Sequence, residues 1–273
     1  MKTARVNGIA IAYEEMGTGD IPVFLVHGSW GSRHNWDRVA PLLASRFGVV
    51  AYDRRGHSES ERPPGQGSIH EDVADLAALI EHLDAAPAWV VGNSWGAVIT
   101  LRLAAARPEL LRGIAVHEPP LIALIADDPV VGPIAQVANA RLAAVIELLA
   151  EGKDTQAARL FVETVAFGPG AWDTLPPAMQ QTFVLNAPTY LDECRDPEQT
   201  TMDLTTLAEF TKPALITHGD QSPPMFPAIV DVVARAIPQA EKRLFPGAGH
   251  IPHTTHPNEF AEAVRALIEK NAN

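Results

Sequence analysis

The residues richest in possible chemistry run Val90-Val91-Gly92-Asn93-Ser94-Trp95-Gly96-Ala97, a G-x-S-x-G pattern between an apolar strand-like run and a helical pattern. A serine on a tight strand-to-helix turn needs a strained backbone, and side chains two residues away on either side would collide with that turn. Glycines at 92 and 96 remove them. The helix after Ser94 would aim its first amides and the positive end of its dipole at the hydroxyl, a setting that favours negative charge. The bland alternative is a structural turn serine, for which the strand-turn-helix context would be incidental.

A serine hydroxyl at neutral pH is a weak nucleophile without a base. Of the ten histidines, His250 is best placed, in the loop Phe245-Pro246-Gly247-Ala248-Gly249-His250 that follows the last strand-like run. His253 and His256 continue an H-x-x-H-x-x-H spacing, but Pro252 and Pro257 interrupt the helix that would align three metal ligands, so no metal is expected. The acid that orients the base has two candidates. Glu118 ends a strand in Val116-His117-Glu118-Pro119-Pro120, and Asp220 follows a strand in His218-Gly219-Asp220-Gln221-Ser222. Glu118 is preferred, although its bland role would be to cap the segment that follows; geometry rather than sequence order defines a triad acid.

These residues need a scaffold that brings distant segments to one edge. Thr3–Val6, the turn Asn7-Gly8 and Ile9–Glu15 read as a hairpin. Apolar runs then alternate with helical patterns. Val23–Val26, Val49–Tyr52, Trp89–Val91, Gly113–Val116, Ala214–Thr217 and Lys242–Phe245 read as strands. Helices are predicted around Asn35–Arg46, Ile69–Leu83, Ala97–Ala106, Ala228–Ala236 and Asn258–Lys270. Such alternation gives a mostly parallel α/β sheet covered on both faces. It fails from Pro119 to about Ala208, where helix patterns at Ile134–Ala150, Thr155–Val165 and Ala178–Leu191 occur without a convincing strand. The expected organisation is therefore a core of residues 1–118 and 209–273 with a helical cap or lid, 119–208, inserted over the C-terminal edge of the sheet.

Taken together, these features resemble the α/β-hydrolase fold from about Ile21 to Leu267. His27-Gly28 resembles the family's oxyanion turn, and Asp53-Arg54-Arg55-Gly56-His57-Ser58-Glu59-Ser60 resembles its D-x-R-G-x-G-x-S loop, with Ser58 where glycine is usual. The resemblance implies an eight-stranded sheet with the insertion between strands 6 and 7. It also implies Ser94 as nucleophile, His250 as base, and the backbone amides of Ser29 and Trp95 as the oxyanion hole. The family usually carries G-x-x-D after strand 7, but Ser222 stands at that position here. Glu118-x-Pro is similar to the zearalenone-type lactone hydrolases, which, like a branch of the haloalkane dehalogenases, place a glutamate acid after strand 6. Dehalogenases and epoxide hydrolases of the fold attack with aspartate; a serine in that role would leave a stable ether. Serine suits acyl transfer instead, without a cofactor.

Composition narrows the substrate and partners. The chain of 273 residues carries 21 Lys+Arg against 33 Asp+Glu, a formal charge of −12, which argues against a nucleic-acid partner. Twelve of the acidic residues but only Arg141, Lys153, Arg159 and Arg195 fall in the insertion; this reads as a solvated outer face or as a field disfavouring anionic substrates. Trp30, Phe167, Trp172, Phe183 and Met225 are candidate pocket residues, with Trp36, Trp95 and Phe226 nearby in type and position; many of these will be plain core. A single cysteine, Cys194, no signal-peptide pattern and no unbroken apolar run of membrane-span length give the expectation of a cytoplasmic protein without a membrane partner. Whether it is a monomer or homodimer is left open. The expected activity is hydrolysis of a neutral, largely apolar ester or lactone. The alternatives are C–C bond hydrolysis or cofactor-free perhydrolase chemistry on the same residues, and a small-molecule receptor with little turnover.

Overall fold

The computed structural model describes residues 1–272. Its strands are β1 Lys2–Val6, β2 Ile9–Met16, β3 Pro22–Val26, β4 Gly48–Tyr52, β5 Ala88–Asn93, β6 Leu111–His117, β7 Ala214–Gly219 and β8 Ala240–Phe245. They form one sheet in the order β1-β2-β4-β3-β5-β6-β7-β8. β1–β2 and β2–β4 are antiparallel, and every later pairing is parallel. The helices are α1 Ala40–Ala44, α2 Ile69–His82, α3 Trp95–Ala106, α4 Gly132–Ala150, α5 Asp154–Phe161, α6 Pro177–Arg195, α7 Leu204–Leu207, α8 Met225–Ala236, α9 Pro252–Thr255 and α10 Pro257–Lys270. The strand order, the single antiparallel end and the parallel remainder are the sheet that the sequence leads one to expect.

Side-chain alternation along the strands builds two cores. Phe24, Val26, Val50, Tyr52, Val90, Ile114 and Ile216 point to one face and pack with α2, α3 and α8. Their neighbours Val23, Leu25, Val49, Ala51, Val91, Ala115 and Leu215 point to the other and meet α1 and α10. Both faces are buried, which is why these strands read as continuous apolar runs rather than as an alternating pattern.

Two expectations change. The helix anticipated over Asn35–Arg46 is broken into a 3₁₀ turn, Arg33–Trp36, and the short α1. Pro41 lacks an N–H and its ring crowds the carbonyl of residue 37, which favours a helix start over a helix interior, and α1 begins one residue before it. The second concerns membrane-spanning length. Among the described residues, α4 is long and apolar enough by length and composition to cross a bilayer, although it contains Arg141 and Glu147. Its Ala135, Val145 and Leu149 are buried against the protein.

Between β6 and β7 the described chain is entirely helical and turn-like. It builds a third core from Val145 and Leu149 of α4, Ala157 and Ala158 of α5, Trp172, and Phe183, Ala187 and Tyr190 of α6. Trp30, from the loop after β3, joins this cluster and stacks with Phe161 at 4.9 Å. Polar contacts add to the seam. Asn186 Nδ2 donates to the Gly31 carbonyl (2.7 Å) while its Oδ1 accepts from Ser58 N (2.8 Å). The Thr189 hydroxyl donates to the Gly56 carbonyl at 2.6 Å. The insertion is thus fastened to the loops after β3 and β4, the first of which approaches Ser94 through Gly28.

Candidate active site

Ser94 links β5 to α3 with φ 55° and ψ −122°, a left-handed backbone for a residue that bears a side chain. Packing imposes it. A Cβ on Gly92 would lie 2.3 Å from the Gly96 carbonyl oxygen, and one on Gly96 would lie 2.2 Å from that of Val26. Neither clash can be relieved without moving backbone, so both glycines are steric requirements of the turn. Ser94 N donates to the His117 carbonyl at 2.9 Å, tying the turn to the end of β6. Trp95 is the first residue of α3, so its N–H has no acceptor within the helix.

Gly28 lies against the serine: a Cβ there would be 2.9 Å from Ser94 Cβ and 3.5 Å from Oγ. This close approach places the next residue, Ser29, beside the nucleophile turn. His27 secures the bend, with Nδ1 at 2.8 Å from the Gly28 carbonyl and Nε2 accepting from Arg54 N at 3.0 Å. Burial, reinforced by the Arg54 charge, holds His27 well below the ordinary histidine pKa, so its imidazole is neutral and structural.

His250 follows β8. Its Nδ1 is 2.7 Å from Glu118 Oε2, and its carbonyl accepts from Asn93 Nδ2 at 2.8 Å. The ring stacks on Phe226 with centroids 4.7 Å apart. With Nδ1 engaged, Nε2 is the nitrogen left for proton transfer. Ser94 Oγ and His250 Nε2 are not hydrogen-bonded, although Asn93 joins their two loops. In ligand-free sites such bonds are often long and tighten only when substrate binds.

Glu118 is fully buried and itself has φ 48°. Its Oε1 accepts from Gly219 N at 2.8 Å. Burial pushes its pKa up, but the hydrogen bond to His250, the neighbouring imidazoles and the Gly219 amide together hold it at about 2. It is therefore an ionised carboxylate at neutral pH, able to stabilise an imidazolium. Asp220, the other candidate, accepts from Gly247 N at 2.8 Å and braces the loop carrying His250 instead of touching the imidazole. Ser222 Oγ is buried without a partner. His253 is buried against Trp36, centroids 4.6 Å apart, and burial lowers its pKa to about 3.

The aromatic candidates divide by position. Trp30, Trp172 and Phe183 meet in the core of the insertion, and Met225 begins α8 in the main core. Phe167 does not join them: it is 40% exposed beyond a π turn at Val162–Ala166. Phe226, outside these five, is the aromatic residue whose ring stacks on His250.

Sequence reasoning passed over a second polar group. Arg54 is completely buried and pairs through Nη2 with Glu193 of α6, with Asp72 of α2 at 3.8 Å from Nη1. Asp72 Oδ2 accepts from the Trp95 indole N–H at 3.3 Å. Burial raises Glu193 to about 7 against the lowering influence of the Arg54 charge and the Ser29 hydroxyl. The doubled arginine in Asp53-Arg54-Arg55-Gly56 was the available signal, since only Arg55 belongs to the recurring loop pattern.

A family model for the alpha/beta hydrolase fold matches residues 21–257. A haloalkane dehalogenase of Bradyrhizobium diazoefficiens is 34% identical over 119 residues, 43% of this chain and 38% of that one. The chain thus spans well under half of that relative's length. Among solved structures, an esterase from Thermogutta terrifontis aligns with a TM-score of 0.76 at 24% identity, covering 99% of this chain and 97% of the other. An enol-lactonase from Burkholderia xenovorans LB400 aligns at 0.74 and 22%, covering 98% and 100%. At these identities the two structures establish the fold alone.

Proposed function

Since the chain belongs to the alpha/beta hydrolase fold family, we propose that it hydrolyses carboxylic esters or lactones of neutral, largely apolar substrates through an acyl-enzyme. The observation that carries this reading is the Glu118–His250 hydrogen bond set beside a serine held in a strained turn. Ser94 Oγ attacks the carbonyl carbon as its proton passes to His250 Nε2. Glu118 fixes the ring so that Nδ1 keeps its proton, and its charge stabilises the imidazolium. The Ser29 and Trp95 amides receive the oxyanion, each worth about 10²–10³ in rate. His250 then protonates the departing alkoxide, and water repeats the sequence to release the acid.

The resemblance to a dehalogenase does not transfer its reaction. An alkyl group displaced onto Ser94 Oγ would form an ether, which has no carbonyl for water to attack, whereas an acyl group forms an ester that water cleaves. The esterase and enol-lactonase among the structural neighbours accord with acyl chemistry. Under this reading the helical insertion is a cap whose aromatic core borders the substrate, and the protein needs no cofactor. Replacing Ser94 by Ala should lower turnover of p-nitrophenyl hexanoate by at least about 10⁴. Hydrolysis persisting in that variant at near the parental rate would eliminate the mechanism.

A further inference from the structure

Near the nucleophile turn lies a small concavity of about 70 Å³, room for the end of a substrate arm rather than for a whole ligand. The Arg62–Ser68 loop and the end of α6 form its walls, and Asp72, Trp95 and Glu193 lie at its inner end. Trp95, which follows Ser94 in the chain, is the one residue of the proposed reaction centre that lines this pocket, and its indole donates to Asp72 at 3.3 Å. Glu193 is 5% exposed, and only one of its oxygens is used: Oε1 pairs with Arg54, while Oε2 is buried with no hydrogen-bond partner. A buried acceptor left unmatched carries a desolvation penalty that a donor entering the pocket would remove.

Charge points the same way. The lining contains five carboxylates, Glu71, Asp72, Asp192, Glu193 and Asp196, against Arg55 and Arg62. Arg55 is committed to Asp75 and Glu71, and Arg62 donates to the Gly56 and Leu185 carbonyls. Neither cation is free for an anionic ligand; Arg54, which does not line the pocket, pairs with Glu193 and lies 3.8 Å from Asp72, with its Nε and Nη1 left without a hydrogen-bond partner.

We propose that this pocket is a substrate subsite in which Glu193 accepts a hydrogen bond from a hydroxyl or ammonium group carried by the ester. The assignment rests on the ester-hydrolase reading and sharpens it, from apolar substrates in general to those with a donor at the end of an apolar arm. The groups around Glu193 are Arg54 and His57 from the loop after β4, Asp72 from α2, the Ser29 hydroxyl, and Asp192 on its own helix. His57 is held neutral by burial and by Arg54. Ionisation of Glu193, centred near pH 7, therefore adds negative charge to the site and strengthens its hold on a donor.

The test uses two matched ester series on the whole chain. One varies the acyl end (p-nitrophenyl hexanoate, 6-hydroxyhexanoate, 6-aminohexanoate and the adipate half-ester), and the other varies the alcohol end of acetate esters in the same way. In at least one series kcat/KM for the hydroxyl or ammonium member should exceed that of the alkyl member by about tenfold, with the carboxylate member poorest. The ammonium-to-alkyl ratio should rise from pH 6 to 8, a ratio from which any pH dependence common to all the esters cancels. In Glu193→Gln the preference should fall below about threefold and the rise with pH should vanish. A flat ratio in both series, or a preference that survives in Glu193→Gln with its pH dependence intact, would overturn the subsite. The pH dependence of the unaltered chain decides the matter even if that variant does not fold. Alkyl-ester turnover that requires Ser94 but shows no donor preference removes the subsite alone; turnover that persists in Ser94→Ala removes the hydrolase mechanism.

Discussion

Glu118 and Glu193 are both buried carboxylates, yet one is held at about 2 and the other rises to about 7. Desolvation acts on both. What differs is how completely each oxygen is matched. Glu118 ends a core strand and spends Oε1 on a backbone amide and Oε2 on His250. Glu193 arrives from the insertion, shares its one cation with Asp72, and leaves an oxygen bare. Rigid strand ends can supply fixed amides to a carboxylate, whereas a helix laid across a seam must use whatever side chains it meets. The first arrangement suits a permanent charge, the second a group that changes its protonation near neutrality.

The contrast is most severely tested by Glu118→Gln. Losing the charge on the Nδ1 side of His250 should lower kcat by about 10³–10⁴, while Asp220→Asn should stay within about threefold. Equal losses would mean that the orienting role is not confined to Glu118. A smaller effect is expected at the other carboxylate. Arg54→Met leaves Glu193 and Asp72 without their cation, and urea unfolding at pH 8 should show a loss of about 3–5 kcal/mol. That loss should shrink towards pH 5, where Glu193 can take up a proton. A pH-independent loss would mean that packing, not charge, holds the seam.

The pH dependence of stability itself gives the mildest test. Native Glu193 holds its proton above the ordinary glutamate value of 4.5, so its stabilising contribution is complete below 4.5 and is lost as pH rises through about 7. Glu118 behaves oppositely: its contribution is present above 4.5 and disappears as pH falls through about 2. His117 and His253, lowered by burial from 6.5 to about 3, also lose stability as pH falls below 6.5. Between 6.5 and 4.5 these two histidines outweigh Glu193, so Tm should fall on acidification. Glu193→Gln should make that fall steeper by removing the opposing contribution. An unchanged slope in differential scanning calorimetry would show that Glu193 is ionised throughout.

Much of the core was legible because its signals are local. Strands buried on both faces announce themselves as apolar runs, and the glycines flanking Ser94 are demanded by backbone clashes only two residues away. Glu118 could be proposed from sequence because it ends a strand at the same sheet edge as Ser94, although nothing local distinguished it from Asp220. That choice needed the three-dimensional fact that residue 220 turns towards Gly247. Arg54 and Glu193 were not legible as a pair. They are 139 positions apart, and a buried ion pair across a seam has no periodicity to betray it. Phe167 misled for a related reason: an aromatic residue in an insertion looks the same in sequence whether it packs inward or stands in solvent. Pro41 shows the reverse, a local signal outweighed at first reading by the apolar pattern around it.

Trp30 belongs by sequence to the turn that includes Ser29, but its indole sits within the aromatic cluster of the insertion. Any chimera that grafts another helical insertion onto this core would have to redesign residue 30 with it, or leave an indole facing a mismatched hole. Exchange of such modules would therefore carry a piece of the Gly28–Gly31 turn along, and an altered substrate range in a chimera could originate in that turn as readily as in the transplanted helices.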